Sequence, residues 1–235
     1  MGDGSDVPGL AILGGSFNPP HIGHLRMAIE VREAFSRHVQ GVDLTPCAQP
    51  PHKDASTLLP FDLRADMVEE SIKGIAGLRC NRLESLRTGP SYTWDTLEAY
   101  SREHAGHELF FILGSQDYAL LPTWHKGLEL SALCNFIVIP RGTFSPEDFS
   151  TVTRTMWPQA SPRPSAVVGS GCIDLPGGTK AHYLRLPRLD VSSSYIRSLW
   201  LAGRDIACLV PEAARELLER NREAVRTCWS VAAAK

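Results

Sequence analysis

The stretch "LAILGGSFNPPHIGHLR", residues 10–26, decides how the chain is to be folded. Residues 10–13 form a short apolar run of the buried-strand kind, cut off by Gly14 and Gly15. From His21 onward, Ile22, Leu25, Ala28, Ile29, Arg32 and Phe35 recur at helical spacing, which predicts a helix to about Arg37. Strand, glycine turn and helix start in succession open an α/β unit. The glycines let main chain approach a ligand, and the helix start offers N–H groups and partial positive charge to an anion. Neither GxxxxGK[ST] nor GxGxxG is present, so the turn is not one of the common phosphate or dinucleotide loops.

His21 and His24, three apart, share one face of the first helical turn. Taken alone, the pair leaves capping or packing, metal binding and phosphate binding all open. A metal would need a further protein ligand, and no HExxH or Cys/His cluster supplies one. Imidazoles placed there can donate to phosphate oxygens, and the phosphates would favour their charged form.

Further along, apolar runs and helical patterns keep alternating. Residues 41–46, 78–84, 108–114 and 135–140 read as strands, with "HYLRLP" restoring order at 182–187. Residues 61–72 read as a helix with Asp62 as N-cap, and 91–104 as one opened by Ser91 or Thr93. "SSSYIRSLWLAG" is a serine-capped helix, and "VPEAARELLERNREAV" a second, preset by Pro211. This alternation predicts a mostly parallel sheet with helices on both faces, whose ligands bind beyond the carboxyl ends of the strands. Residues 141–179, rich in Pro, Ser, Thr and Gly, read as a variable surface excursion with at most one short helix. The expected organisation is an extension over 1–9, one domain over 10–222 and a C-terminal tail over 223–235, of which the last residues, "SVAAAK", are loosely held.

Composition removes several classes. A formal charge of -2 argues against a non-specific nucleic-acid binder, though not against a nucleotide site. The six cysteines are scattered without any CxxC, as expected of reduced thiols in a cytoplasmic protein. The acidic start lacks the pattern of a signal peptide, and no apolar run is long enough to predict a membrane span.

"GGSFNPPHIGHL" resembles the GG[ST]F[DN]PxHxGH signature of the HxGH nucleotidyltransferase superfamily. "PPHK" (50–53), "GPSYTWDTLE" (89–98), "FILGSQDYALLPTWHKGLEL" (111–130) and "VSSSYIR" (191–197) narrow the likeness to bacterial nicotinate-nucleotide adenylyltransferases, in the same order and at similar separations. The resemblance covers roughly residues 10 to 222. It implies a Rossmann-like, doubly wound α/β fold with a small C-terminal helical portion. It also implies adenylyl transfer from ATP to nicotinate mononucleotide, with Mg²⁺ held mainly through the ATP phosphates.

By that resemblance, His21, His24, Lys53 and Arg197 are the catalytic set, with His24 favoured for the α-phosphate. Gly14, Gly15, Ser16, Phe17 and Asn18 would meet ATP through the turn, Asn18 standing where many members of the family have Asp. Ser192 or Ser193 would cap a helix aimed at the β- and γ-phosphates. Tyr92, Thr93, Trp124 and His125 would meet the pyridine end, with Arg82 and Arg87 as unranked carboxylate partners. The family usually has Gly-Ala/Ser-Asp after its fourth strand, whereas this chain reads Gly114-Ser115-Gln116-Asp117. The ATP ribose contact therefore falls to Gln116 or to Asp117. No protein metal ligand is implied, and neither a nucleic-acid nor a membrane partner is; homo-oligomerisation stays open. The rival readings are adenylyl transfer to nicotinamide mononucleotide or phosphopantetheine, and a nucleotide-binding sensor without turnover.

Overall fold

In the computed structural model, which describes residues 8–51, 55–165, 167 and 170–233, the apolar run at 10–13 forms the centre of β1 (Gly9–Gly15). Leu10, Ala11, Ile12 and Leu13 are all buried, as suits a strand covered on both faces. There follow α1 (Ile22–Ala34), β2 (Val39–Pro46), α2 (Phe61–Ile72), β3 (Leu78–Cys80) and α3 (Thr93–Glu103). Next come β4 (Glu108–Gly114), α4 (Ser115–Ala119), β5 (Asn135–Ile139), α5 (Pro146–Met156), β6 (Ser161–Arg163) and β7 (Ser170–Asp174). The chain ends with β8 (Lys180–Leu184), α6 (Ser193–Leu201), α7 (Glu212–Arg220) and α8 (Arg222–Ala233).

The strands pair in the order β3-β2-β1-β4-β5-β8-β7-β6. β1, β4, β5 and β8 run parallel, with Leu13 level with Ile112, Ile112 with Ile137, and Ile137 with His182. β7 and β6 finish the sheet antiparallel. The order reverses between β1 and β4, the switch point where such sheets take ligands. Gly14 and Gly114 stand at the carboxyl ends of those two strands.

Two compact units divide the chain. One comprises residues 1–14, 30–42 and 92–187, the other 15–29, 43–91 and 188–235. The core of the first is built on β1, β4, β5 and β8, with Tyr118, Phe136, Phe149 and Trp157 packed as rings. In the second, Leu59 and Met67 join Ile196, Leu199, Trp200, Ala214, Leu218, Val225 and Trp229 in one cluster.

Several sequence expectations are corrected by local chemistry. The first helix stops at Ala34, because the main chain turns there and His38 donates back to the Phe35 carbonyl. Asp62 is not the N-cap of α2; Pro60 is, and Asp62 stands inside the first turn, where its charge meets the helix dipole. The strand expected over 78–84 ends at Cys80, since Asn81 takes its own hydrogen bond to the following turn and Leu83–Leu86 is a 3-10 segment. Ser91 does not open α3, for its hydroxyl accepts from the Gln49 N–H instead. The single helix read over 210–225 is two, broken at Asn221.

Residues 141–179 contain α5, closed by a capping box on Ser145 and Asp148, and the strands β6 and β7. The segment read as a C-terminal tail is helical through Ala233, with Val225 and Trp229 fully buried. Their spacing of four puts both side chains on one helix face, which is what buries them. Residues 1–7 lie outside the described residues.

Candidate active site

Phe17 sets the turn after β1. Its backbone is left-handed, φ 44°, and its side chain is 1% exposed, so ring burial holds a conformation that L-residues rarely adopt. The ring then meets His24 edge-on at 4.9 Å. His21 and His24 stack with centroids 3.7 Å apart at 25°. The three-residue spacing thus does put both imidazoles together. Gly23 makes this possible: a Cβ there would lie 3.0 Å from His21 Nδ1 and from Val191 Cγ1.

The His21 N–H donates to His24 Nδ1 at 3.2 Å. Nδ1 of His24 is therefore the acceptor nitrogen, and the neutral ring carries its proton on Nε2, which is the atom able to donate to an anion. The start of α1 is less open than its sequence predicts. Ile22 N–H donates to the Leu209 carbonyl at 3.0 Å and His24 N–H to the His21 carbonyl at 2.9 Å. The helix start thus has part of its N–H groups already engaged, and the two histidine side chains stand beside it.

Around the pair the loop is held from behind. Asn18 is buried; its Nδ2 donates to the Thr57 carbonyl at 2.8 Å, and its Oδ1 accepts from Leu59 N–H at 3.2 Å and Trp229 Nε1 at 3.3 Å. Its side chain thus braces the turn against α8. Pro19 accepts from the Ser193 hydroxyl at 2.8 Å, and the Asn18 carbonyl accepts from Arg197 Nη1 at 2.9 Å. Ser192, not Ser193, is the N-cap of α6, taking the Tyr195 N–H at 3.2 Å. Arg197 spends its other arm on the Ser194 hydroxyl at 3.2 Å, and burial lowers its pKa. It is anchored beside the turn before any ligand arrives.

Sequence reading missed Arg64. It is 1% exposed, and its guanidinium donates to the carbonyls of Leu59 at 2.8 Å, Ser16 at 2.7 Å and Cys47 at 2.8 Å, with Ala48 at 3.5 Å. One buried cation therefore fixes the histidine turn and the segment leading to "PPHK". The signal was present: Arg64 falls on the buried stripe of α2 with Ala65, Met67, Val68 and Ile72. Glu84, also buried, accepts from the Ala48 N–H at 3.0 Å on the same segment. Lys53 itself lies outside the described residues.

In the other unit, Gly114 ends β4 and α4 begins at once with Ser115, so Gln116 and Asp117 stand exposed in a helical first turn rather than in a loop. A Cβ on Gly114 would lie 3.8 Å from Asp117 Oδ2 and 3.4 Å from Arg141 Nε. Asp117 is thereby the acid that turns back to the strand end. Arg141, held there by its N–H donating to the Ser115 hydroxyl at 3.0 Å, is a cation the sequence reading did not single out. Tyr92 and His125 pack ring to ring at 4.5 Å, Thr93 begins α3, and Trp124 meets Phe111 edge-on at 6.5 Å. Arg82 pairs with Asp66 at 2.5 Å and Glu69 at 2.8 Å.

The cytidylyltransferase-like family model matches residues 12–199. A probable nicotinate-nucleotide adenylyltransferase of Geobacter metallireducens is 36% identical, over 90% of this chain and 95% of its own. One from Pseudomonas putida is also 36% identical, over 90% and 88%. Among solved structures, the nicotinic acid mononucleotide adenylyltransferase of Plasmodium falciparum complexed with NaAD superposes with TM-score 0.70, covering 92% of this chain and 97% of its own. At 19% identity that likeness speaks for the fold alone. The family-model match over residues 12–199 makes this a nucleotidyltransferase of the cytidylyltransferase-like class. Within that class, the chain belongs to the nicotinate-nucleotide adenylyltransferase family.

Proposed function

We propose that this chain transfers the adenylyl group of ATP to nicotinate mononucleotide, releasing deamido-NAD and pyrophosphate in NAD synthesis. The relatives named for that reaction match it over nearly their whole length, and the Plasmodium structure contains NaAD, the dinucleotide such a reaction makes. The carrying observation is the His21–His24 stack, with His24 Nδ1 engaged as acceptor.

The attacking phosphate is already an anion, so the reaction demands positioning and charge stabilisation rather than a strong base or a covalent intermediate. His24 would donate from Nε2 to the α-phosphate as it becomes pentacoordinate, with His21 stacked behind it. Arg197 and the start of α6 would meet charge on the departing pyrophosphate, and Lys53 would reach the phosphate of nicotinate mononucleotide. A preorganised donor of this kind contributes on the order of 2–4 kcal/mol to the transition state. Gln116 and Asp117 would serve the ATP ribose, the geometry at Gly114 favouring Asp117. Tyr92, Thr93, Trp124 and His125 would receive the pyridine ring.

Mg²⁺ would arrive as part of the substrate, complexed to the ATP phosphates, neutralising charge there. Among the described residues, no three His, Cys, Asp or Glu side chains are grouped to hold a metal. No described helix is long and apolar enough to cross a membrane. A cytoplasmic location is part of this proposal, supported by the six free thiols, which suit a reducing compartment.

The test is pyrophosphate release with ATP and Mg²⁺ against nicotinate mononucleotide, nicotinamide mononucleotide and phosphopantetheine in turn. Nicotinate mononucleotide should give the highest kcat/KM. Release confined to phosphopantetheine would refute the substrate assignment, and ATP binding without release in any arm would make the chain a sensor.

A further inference from the structure

At the amino ends of β4, β5 and β8, opposite to Gly14 and Gly114 along their strands, one unit encloses a cavity of about 50 Å³. None of its lining residues has a part in adenylyl transfer. His182, on β8, is its focus. The residue is 8% exposed, and among the described residues neither Nδ1 nor Nε2 has a hydrogen-bond partner. Buried polar side-chain atoms are nearly always paired, so an imidazole with both nitrogens open calls for an occupant.

The ring is held rather than loose. Phe35 stands edge-on to it at 5.1 Å and 88°, and Phe110 lies at 6.2 Å. Cys172 is its cross-strand partner on β7, and Arg163 is the partner of Cys172 on β6, so the three line one row across the sheet. Asn135 is not available to satisfy His182, since its Oδ1 accepts from Lys180 N–H at 2.8 Å and its Nδ2 donates to the Leu109 carbonyl at 3.4 Å.

The surrounding charge selects the occupant. Arg163, Lys180 and His38 line the cavity against one lining carboxylate, Glu108. Asp174 is drawn to Arg163 at 3.0 Å and offsets part of its charge. Burial first, then Lys180, His38 and Arg163, hold the His182 pKa down to about 4, with Asp174 opposing them. That environment penalises a further cation and favours an anion. At roughly 10–15 Å³ for each water-sized occupant, the space holds about three to five heavy atoms, far too few for a nucleotide. The described residues offer no three-ligand metal group here either.

We propose that this cavity is a second ligand site, binding a small planar oxyanion of the carboxylate class that accepts from His182 and is countered by Lys180 and Arg163. Formate and acetate have the size and charge required at neutral pH. Because the anion favours imidazolium, its binding lifts the His182 midpoint.

The experiment is NMR titration of the His182 imidazole in the full chain with sodium acetate at constant ionic strength, the resonance being assigned by comparison with His182→Gln. Sodium chloride and inorganic phosphate provide parallel arms. The expected result is a saturable shift with acetate, a His182 midpoint raised by about one unit or more from about 4, and roughly tenfold weaker binding in Lys180→Gln. Lys180→Gln lies at a partly exposed strand start and keeps the test decisive if His182→Gln does not fold. A flat acetate titration, or equal response to chloride, overturns the proposal. Saturation by phosphate without acetate overturns the carboxylate class.

Discussion

The Arg64 guanidinium donates to the Ser16 carbonyl at 2.7 Å and, through the same Nη1, to the Cys47 carbonyl at 2.8 Å. A single buried side chain therefore sets the distance between the histidine turn and the segment that leads to Lys53. Arg64→Met keeps the volume but leaves these carbonyls without donors, at a cost of about 3–5 kcal/mol in chemical denaturation. Arg64→Lys retains the charge but not the planar fork, so it should recover part of the stability and little of kcat. Equal kcat in wild type and both folded variants would show that Arg64 braces the fold without tuning the turn.

The histidine stack makes two separable predictions. His24→Ala removes the Nε2 donor, and kcat should fall by about 10²–10³ with the fold retained. Gly23→Ala leaves both imidazoles in the sequence but inserts a methyl 3.0 Å from His21 Nδ1 and Val191 Cγ1. Either His21 or Val191 must move, and overpacking costs about 1–3 kcal/mol. Steady-state kinetics should show a kcat defect in Gly23→Ala; unchanged kcat would mean that the stack is dispensable.

Trp229 ties α8 to the active turn through Asn18, and packs edge-on against Trp200 at 5.3 Å. Trp229→Ala should cost about 3–5 kcal/mol by urea unfolding. It should also lower kcat in the fraction that remains folded, because Asn18 loses a donor. A truncation after residue 222 that remained as stable as the full chain would contradict this.

His182 predicts a pH dependence of stability. Its folded pKa, about 4, lies below its unfolded value, so between those two values the unfolded chain binds more protons and stability falls with falling pH. The loss begins near the ordinary histidine pKa and is complete below about 4, amounting to about 3 kcal/mol. His182→Phe should flatten that limb in buffer free of small carboxylates. An unchanged acid limb by thermal unfolding would show that other groups carry it.

Much of the fold was legible because its strands are continuous apolar runs and its helices keep one apolar face, as in β1, β4 and α6. What escaped depended on distant partners. Ser91 looks like a helix cap until Gln49 takes its hydroxyl, and Arg82 finds its acidic partners, Asp66 and Glu69, on α2. Residues 223–233 carry few large apolar side chains, so the pull of Trp229 into the Ile196–Trp200 cluster is invisible locally. In the histidine turn, residue types alone raise the expectation of phosphate binding, whereas Nδ1 of His24 as acceptor and Arg64 as brace emerge only from geometry. Asp117 turning back to Gly114 likewise needed the early start of α4.

The central claim is attack at the α-phosphorus of ATP by the phosphate of nicotinate mononucleotide. Parallel reactions with ATP labelled at the α- or the γ-phosphate test it directly, with products separated by chromatography. The account predicts the α-label in a dinucleotide and the γ-label in pyrophosphate, with both signals reduced together in His24→Ala. Transfer of the γ-label to the acceptor, or an α-label that stays in AMP without dinucleotide, would contradict it.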